Sequence, residues 1–117
     1  MVIFDATSRL LADMIQGTSA RHRVLASNLA NAETPGYQAQ DVTFSAALES
    51  ARAGAAGPLV TMRLEAEPGV AVRQDGNTVD LDRQMVKLAQ NTGWHNTMLQ
   101  ILNSRLAVMR QAIQNRG

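Results

Sequence analysis

The chain has 117 residues, enough for one domain, and its few aromatics are Phe4, Tyr37, Phe44 and Trp94. A formal net charge of +1 gives neither the basic footprint of a nucleic-acid binder nor an acidic tail. With no cysteine, disulfide frameworks, thiolate metal sites and cysteine nucleophiles are excluded. Ala, Leu, Val and Met supply the apolar content, which suits helix-on-helix packing better than a mixed core. Lys87 is the only lysine among eleven basic residues.

Residues 1–32 read as an N-terminal helix. Met1 to Met14 contains Asp5, Arg9 and Asp13 and no apolar run of seven, so it does not read as a signal peptide. No segment of the chain is apolar for long enough to span a bilayer. A stripe of Phe4, Leu11, Met14, Ile15, Thr18, Leu25, Leu29 and Ala32 runs along residues 4–32. Asp5 or Thr7 stands where an N-cap belongs. Such a helix is roughly 40 Å long. Gly17 within it costs about 1 kcal/mol relative to Ala.

The helix then runs into Asn28, Asn31, Thr34, Pro35 and Gly36. Pro35 pushes Thr34 out of the α region and Gly36 permits positive φ, so Tyr37 is held just past a corner. Residues 33–79 form an irregular middle. Asp41–Leu48 reads as a short extended piece followed by a helical turn, and Ala51–Pro58 as a connector of small residues. Thr61–Glu67 alternates with period two, is followed by Pro68-Gly69 and then by Val70–Val72, and reads as a small β-hairpin. Asp75–Asn77 is a further turn.

Residues 80–117 form a C-terminal heptad helix. Leu81, Met85, Leu88, Thr92, His95, Leu99, Leu102, Leu106, Met109 and Ile113 follow a 4-3-4-3 spacing, the signature of a coiled-coil seam. Asp80 is a suitable N-cap and Asp82 a favourable first-turn acid. The helix is roughly 50 Å long, and Gly93 is expected to weaken or bend it. The expected fold is therefore mainly α. Two long terminal helices pack as a coiled-coil-like antiparallel pair, with a short irregular or β-hairpin middle. Neither helix buries its stripe alone, so the free chain is expected to be partly disordered until assembly supplies the missing burial.

Catalytic constellations are absent from the sequence. His22 and His95 lie in different predicted helices without cysteines or clustered carboxylates. Asp75–Asp82 is acidic enough to suggest a calcium loop, but its glycine is misplaced and no bidentate Glu follows at the twelfth position. No nucleophile elbow, P-loop or dinucleotide fingerprint is present. The chain is expected to be a non-enzyme with no cofactor and no metal.

Two blocks carry a resemblance. Ser27–Phe44, with its Asn-x-x-Asn-x-x-Thr-Pro-Gly-Tyr helix ending, resembles the N-terminal signature of the flagellar rod and hook axial protein family. Gly76–Ala89 resembles the opening of the C-terminal helix in its small proximal-rod members. One departure follows, since Gln90-Asn-Thr-Gly-Trp94-His95 stands where a Gln and a Tyr are expected. The resemblance implies a structural subunit of the bacterial flagellar basal body, exported unfolded by the flagellar type III apparatus without a cleaved signal. It implies helical assembly around the central channel in the periplasmic rod, with transmission of torque for motility. The implied partners are further copies, the rod proteins FlgC, FlgF and FlgG, the FliE adaptor and the export gate. A rod subunit of the FlgC type and a cytoplasmic helical adaptor or regulator are the alternatives. The expected subunit-contact residues are Leu99, Leu102, Leu106 and Met109 on the C-terminal helix, and Leu11, Met14, Leu25 and Leu29 on the facing stripe. Asn28, Asn31, Pro35, Gly36 and Tyr37 are expected to set the corner and dock on a neighbour.

Overall fold

The computed structural model describes residues 6–46 and 60–115. Phe4, the Asp5 cap position and the connector Ala51–Pro58 lie outside them. Helix α1 spans Ala6–Ala30, strand β1 Gln40–Ala46, strand β2 Val60–Ala66 and helix α2 Leu81–Gln114. The molecule is elongated, 68 × 27 × 17 Å. The two helices run antiparallel. Asn28 meets Gln84, Thr18 meets Asn91, and Ser8 meets Arg105, so positions fall along α1 as they rise along α2.

Helix α2 starts where its cap directs. The Asp80 carboxylate accepts from the Arg83 N–H at 3.2 Å, and Asp82 stands in the first turn. The helix continues unbroken through Gly93 to Gln114. Helix α1 ends one turn before Pro35, whose ring cannot continue it. Gly36 follows with φ +75°, a backbone open to glycine at no steric cost.

The strands differ from the sequence reading. Thr61–Ala66 is indeed strand, but its partner is β1 and not Val70–Val72. The pairing is antiparallel, with Gln40 opposite Ala66, Val42 opposite Leu64 and Phe44 opposite Met62. Two contacts fix this end of the ribbon. The Asn28 side chain holds the backbone of Gln40, and the Glu67 N–H donates to Ala39 O at 2.9 Å. Val70–Val72 adds no strand, because the chain there turns Arg73 and Asp75 toward the end of α1.

The ribbon lies on α1 at Gly17. A Cβ on that residue would fall 2.5 Å from Phe44 Cε1 and 3.5 Å from Met62 Sδ. Gly17 is thus the close-approach point for the β1 aromatic, and its cost to the helix is offset by that packing.

The helix seam is also shifted from the predicted heptad row. Gln84, Asn91 and Met98, seven residues apart, are the buried residues of α2, and Arg105 continues their row onto Ser8. Leu88, His95, Leu102 and Met109 flank that row and are half-buried. Of the other half of the predicted seam, Leu99 and Leu106 are half-buried, while Leu81, Met85, Thr92 and Ile113 are exposed. Polar side chains occupy the centre because each finds a partner on α1, which removes the penalty for burying them.

Candidate functional site

The two sequence blocks dock on each other, and asparagine amides close the joint. At the end of α1 the backbone carbonyls have no helical partners. The Asn77 amide supplies them, with Nδ2 lying 3.0 Å from Asn31 O, 3.1 Å from Ala32 O and 2.8 Å from Thr34 O. Arg73 also donates to Ala32 O. Asn31 caps locally, its Nδ2 donating to Ser27 O at 2.8 Å, while its Oδ1 accepts from the Thr34 hydroxyl. The Gly36 N–H donates to Asp75 O at 2.8 Å. Gly76 lies against Gly36, so a Cβ there would sit 3.4 Å from Gly36 Cα on a backbone with φ +84°.

Asn28 does for the strand what Asn77 does for the helix. Its Oδ1 accepts from the Gln40 N–H at 3.1 Å and its Nδ2 donates to Gln40 O at 2.7 Å, imitating one rung of a β-ladder. The same amide donates to Gln84 Oε1 and accepts from the Tyr37 hydroxyl. All its hydrogen-bonding positions are filled at 0% exposure. Thr78 completes the joint, donating its N–H to Tyr37 O and accepting from the Ala39 N–H. Ala32, Ala39 and Val79 form a small apolar core beneath Tyr37.

A charge network continues from this joint. Gln84 Nε2 donates to Glu67 Oε2 at 2.6 Å. The Glu67 side chain is 1% exposed, and Lys87 Nζ stands 2.8 Å from its Oε1 as an ion pair without well-aligned hydrogen-bond geometry. Lys87 also donates to Asp41 Oδ2 at 2.8 Å, while Arg21 holds Asp41 Oδ1 at the same distance. Burial alone would raise the Asp41 carboxyl. Hydrogen bonds from Arg21, Lys87 and the Val42 N–H overcome it and hold the group at about 2. Burial likewise opposes the charge on Lys87, and the two carboxylates outweigh it, raising its pKa. The single lysine of the chain therefore ties α2 to β1 and to the segment after β2.

The predicted contact residues fall into three groups by burial. Leu25 and Asn28 are buried inside the chain, and Leu11, Met14, Leu29, Asn31 and Tyr37 are half-buried. Pro35 and Gly36 form the exposed tip of the corner. Leu99, Leu102, Leu106 and Met109 are half-buried along α2. Asn77, Thr78, Gln84, Asn91 and Glu67 carry no apolar periodicity that would single them out, although Asn77, Thr78 and Gln84 lie within the second resemblance block. The far part of α2 carries exposed apolar side chains at seven-residue steps: Trp94, Ile101 and Val108.

His22 and His95 line one cleft between the helices, together with Thr18, Arg23 and Asn91. The Thr18 hydroxyl donates to Ile15 O, so its 2.7 Å contact with His95 Nδ1 is donated by the ring. Among the described residues, no three His, Cys, Asp or Glu side chains gather to hold a metal ion. No described helix is long and apolar enough to cross a membrane.

Comparison with known proteins relates the sequence to flagellar rod proteins. A family model described as "Flagella basal body rod protein" matches residues 16–38, the second half of α1 and the corner. The flagellar basal body rod protein FlgB of Salmonella typhimurium is 32% identical, with 94% of each chain covered. FlgB of Aeromonas hydrophila is 34% identical over 97% of this chain and 96% of its own. FlgB of Cereibacter sphaeroides is 37% identical over 80% and 83%.

Proposed function

Because the chain belongs to the FlgB family of flagellar basal body rod proteins, a family of structural subunits and not of enzymes, we propose that it builds the proximal part of the rod. In this reading the chain passes unfolded through the flagellar type III export apparatus, without a cleaved signal, to the periplasmic rod. It then assembles helically around the central channel and transmits torque. Its neighbours are further copies, FlgC, FlgF and FlgG along the rod, and the FliE adaptor and export gate at its base.

One observation carries this reading: apolar surface remains on α2 after α1 has docked. Trp94 is 62% exposed, Ile101 45% and Val108 65%, in a row beside the seam. Met85 and Ile113 are exposed on the other side of it. A helix that stays apolar beyond its intrachain contact needs a further partner. The corner supports the same reading, since its internal hydrogen bonds orient α1 and α2 for presentation to neighbours. Leu99, Leu102, Leu106 and Met109, with Leu11 and Met14, then contribute both to the intrachain seam and to contacts between subunits.

Mass spectrometry of purified hook–basal bodies tests the reading. The chain is expected at a few copies per particle, retained after filament and hook are stripped. Its absence from intact particles, with the protein found soluble in the cytoplasm, would overturn the assignment and favour a helical adaptor.

A further inference from the structure

Only one aspartate or asparagine of the chain is followed by glycine, and the pair, Asp75-Gly76, sits in the corner. The corner uses both residues. Gly76 takes φ +84°, and a Cβ on it would stand 3.4 Å from Gly36 Cα, so a side chain is strained there. Asp75 accepts the Gly36 N–H on its main-chain oxygen at 2.8 Å and the Asn77 N–H on Oδ1 at 3.0 Å. The same carboxylate stands 3.8 Å from Arg73 Nε. With no Cβ after it, an aspartate side chain meets the least hindrance in reaching the next peptide nitrogen. The geometry of the corner therefore demands a chemically labile pair.

In an unfolded chain the Gly76 nitrogen can attack Cγ of the Asp75 carboxyl in its acid form. The new N–Cγ bond closes a succinimide ring, and the carboxyl hydroxyl leaves as water with the amide proton. Water then adds at one of the two ring carbonyls and breaks that carbon's bond to nitrogen. Opening at Cγ restores aspartate. Opening at the main-chain carbon leaves isoaspartate, in which the backbone runs through Cβ and Cγ. The folded corner holds both reactants apart from this path. The Gly76 N–H is donated to Arg73 O at 2.9 Å, Gly36 holds the Asp75 main-chain oxygen, and Asn77 holds Oδ1. Ring closure needs the nitrogen and Cγ to turn toward each other, and these three bonds resist that turn.

We propose that Asp75 is a site of spontaneous isoaspartate formation, open in the unfolded chain and closed by the corner. The site goes beyond the rod-subunit reading and does not depend on it. The modification is also incompatible with the joint that prevents it. One extra main-chain atom enters between Asp75 Cα and the Gly76 nitrogen, and the carbonyl that accepts the Gly36 N–H becomes a free carboxylate. The close approach of Gly36 to Gly76 and the three Asn77 amide bonds of 2.8, 3.0 and 3.1 Å leave no slack for that atom. A chain that ages before it folds thus loses the corner that fixes α1 against α2.

Ageing of the full chain at neutral pH, beside a synthetic peptide of Gln74–Arg83, tests this. Tryptic digestion releases the same segment from the chain, and chromatography with mass spectrometry separates its isoaspartyl and aspartyl forms, which have equal mass. The folded chain is expected to accumulate isoaspartate at roughly one-tenth of the peptide's rate or less, because reaction waits for local opening. Asn28→Ala touches neither reactant but loosens the corner, and is expected to raise the rate in the chain severalfold. The isoaspartyl chain, isolated by chromatography, is expected to melt below the unmodified one. Equal rates in folded chain and peptide, or no isoaspartate in the peptide, would overturn the proposal. So would an Asn28→Ala chain that ages no faster than its parent, or an isoaspartyl chain that melts with the unmodified one.

Discussion

The corner and the far part of α2 solve the burial problem in opposite ways. At the corner, buried polar side chains find their partners within the chain: Asn28, Asn77 and Gln84 are each 0% exposed and hydrogen-bonded. Along α2 beyond Leu88, apolar side chains are left outside, and among the described residues no second helix covers Trp94, Ile101 and Val108. A region complete in itself fixes geometry, while an incomplete one awaits a partner. The difference separates the folding unit from the assembly surface in a chain that carries both on the same two helices.

The comparison breaks most sharply at Lys87. Lys87→Met leaves the buried Glu67 carboxylate facing only Gln84 and the more distant Arg83, and is expected to cost about 3 kcal/mol in thermal or urea unfolding. Asn28→Ala strands the Gln40 N–H and C=O and Gln84 Oε1 together, for a loss of about 2 kcal/mol by the same measurement. If either variant unfolded like the parent chain, the corner would not be the folding unit.

Acid acts on the same network. Asp41 has its carboxyl lowered from 3.8 to about 2. A lowered folded-state pKa contributes stability that is fully present above about pH 4 and is lost as pH falls from 4 toward 2. The expected loss is about 1–2 kcal/mol after allowing for partial exposure. Urea midpoints at pH 5 and pH 2.5 read it, and Asp41→Asn should flatten the difference.

The smallest effect falls at Gly17. Gly17→Ala improves helix propensity but drives a methyl into the Phe44 ring, for a net loss of about 1 kcal/mol in thermal unfolding. Rescue by Gly17→Ala/Phe44→Leu would trace the cost to that contact.

Much of this was legible in the sequence, because local signals decide it. Periodicity found both helices, Asp80 marked the start of α2, and Thr34-Pro35-Gly36 marked the corner. Period-two alternation found β2, but Pro68-Gly69 suggested the wrong partner. The true partner β1 lies across residues 47–59, and it is held to α1 by the Asn28 side chain at Gln40, which no strand pattern reveals. The seam was displaced for a related reason. Apolar residues define a heptad row from sequence, yet the buried centre belongs to Gln84 and Asn91, whose amides have partners on α1 only once the chain is folded. Lys87 was visible as the single lysine, and its role emerged only when Asp41 and Glu67 were brought to it from two other segments.

Hydrogen exchange on the isolated chain tests most directly whether the corner is complete in itself and the distal helix is not. The amides of Gly36, Ala39, Gln40, Thr78 and Val79, each held by an intrachain acceptor, should be the slowest outside the helices. Those of α2 beyond Val108 should exchange orders of magnitude faster than the α2 amides near Gln84. Equal exchange along the whole of α2, or corner amides as fast as the helix end, would contradict the division of the molecule into a self-contained joint and a surface that waits for its neighbour.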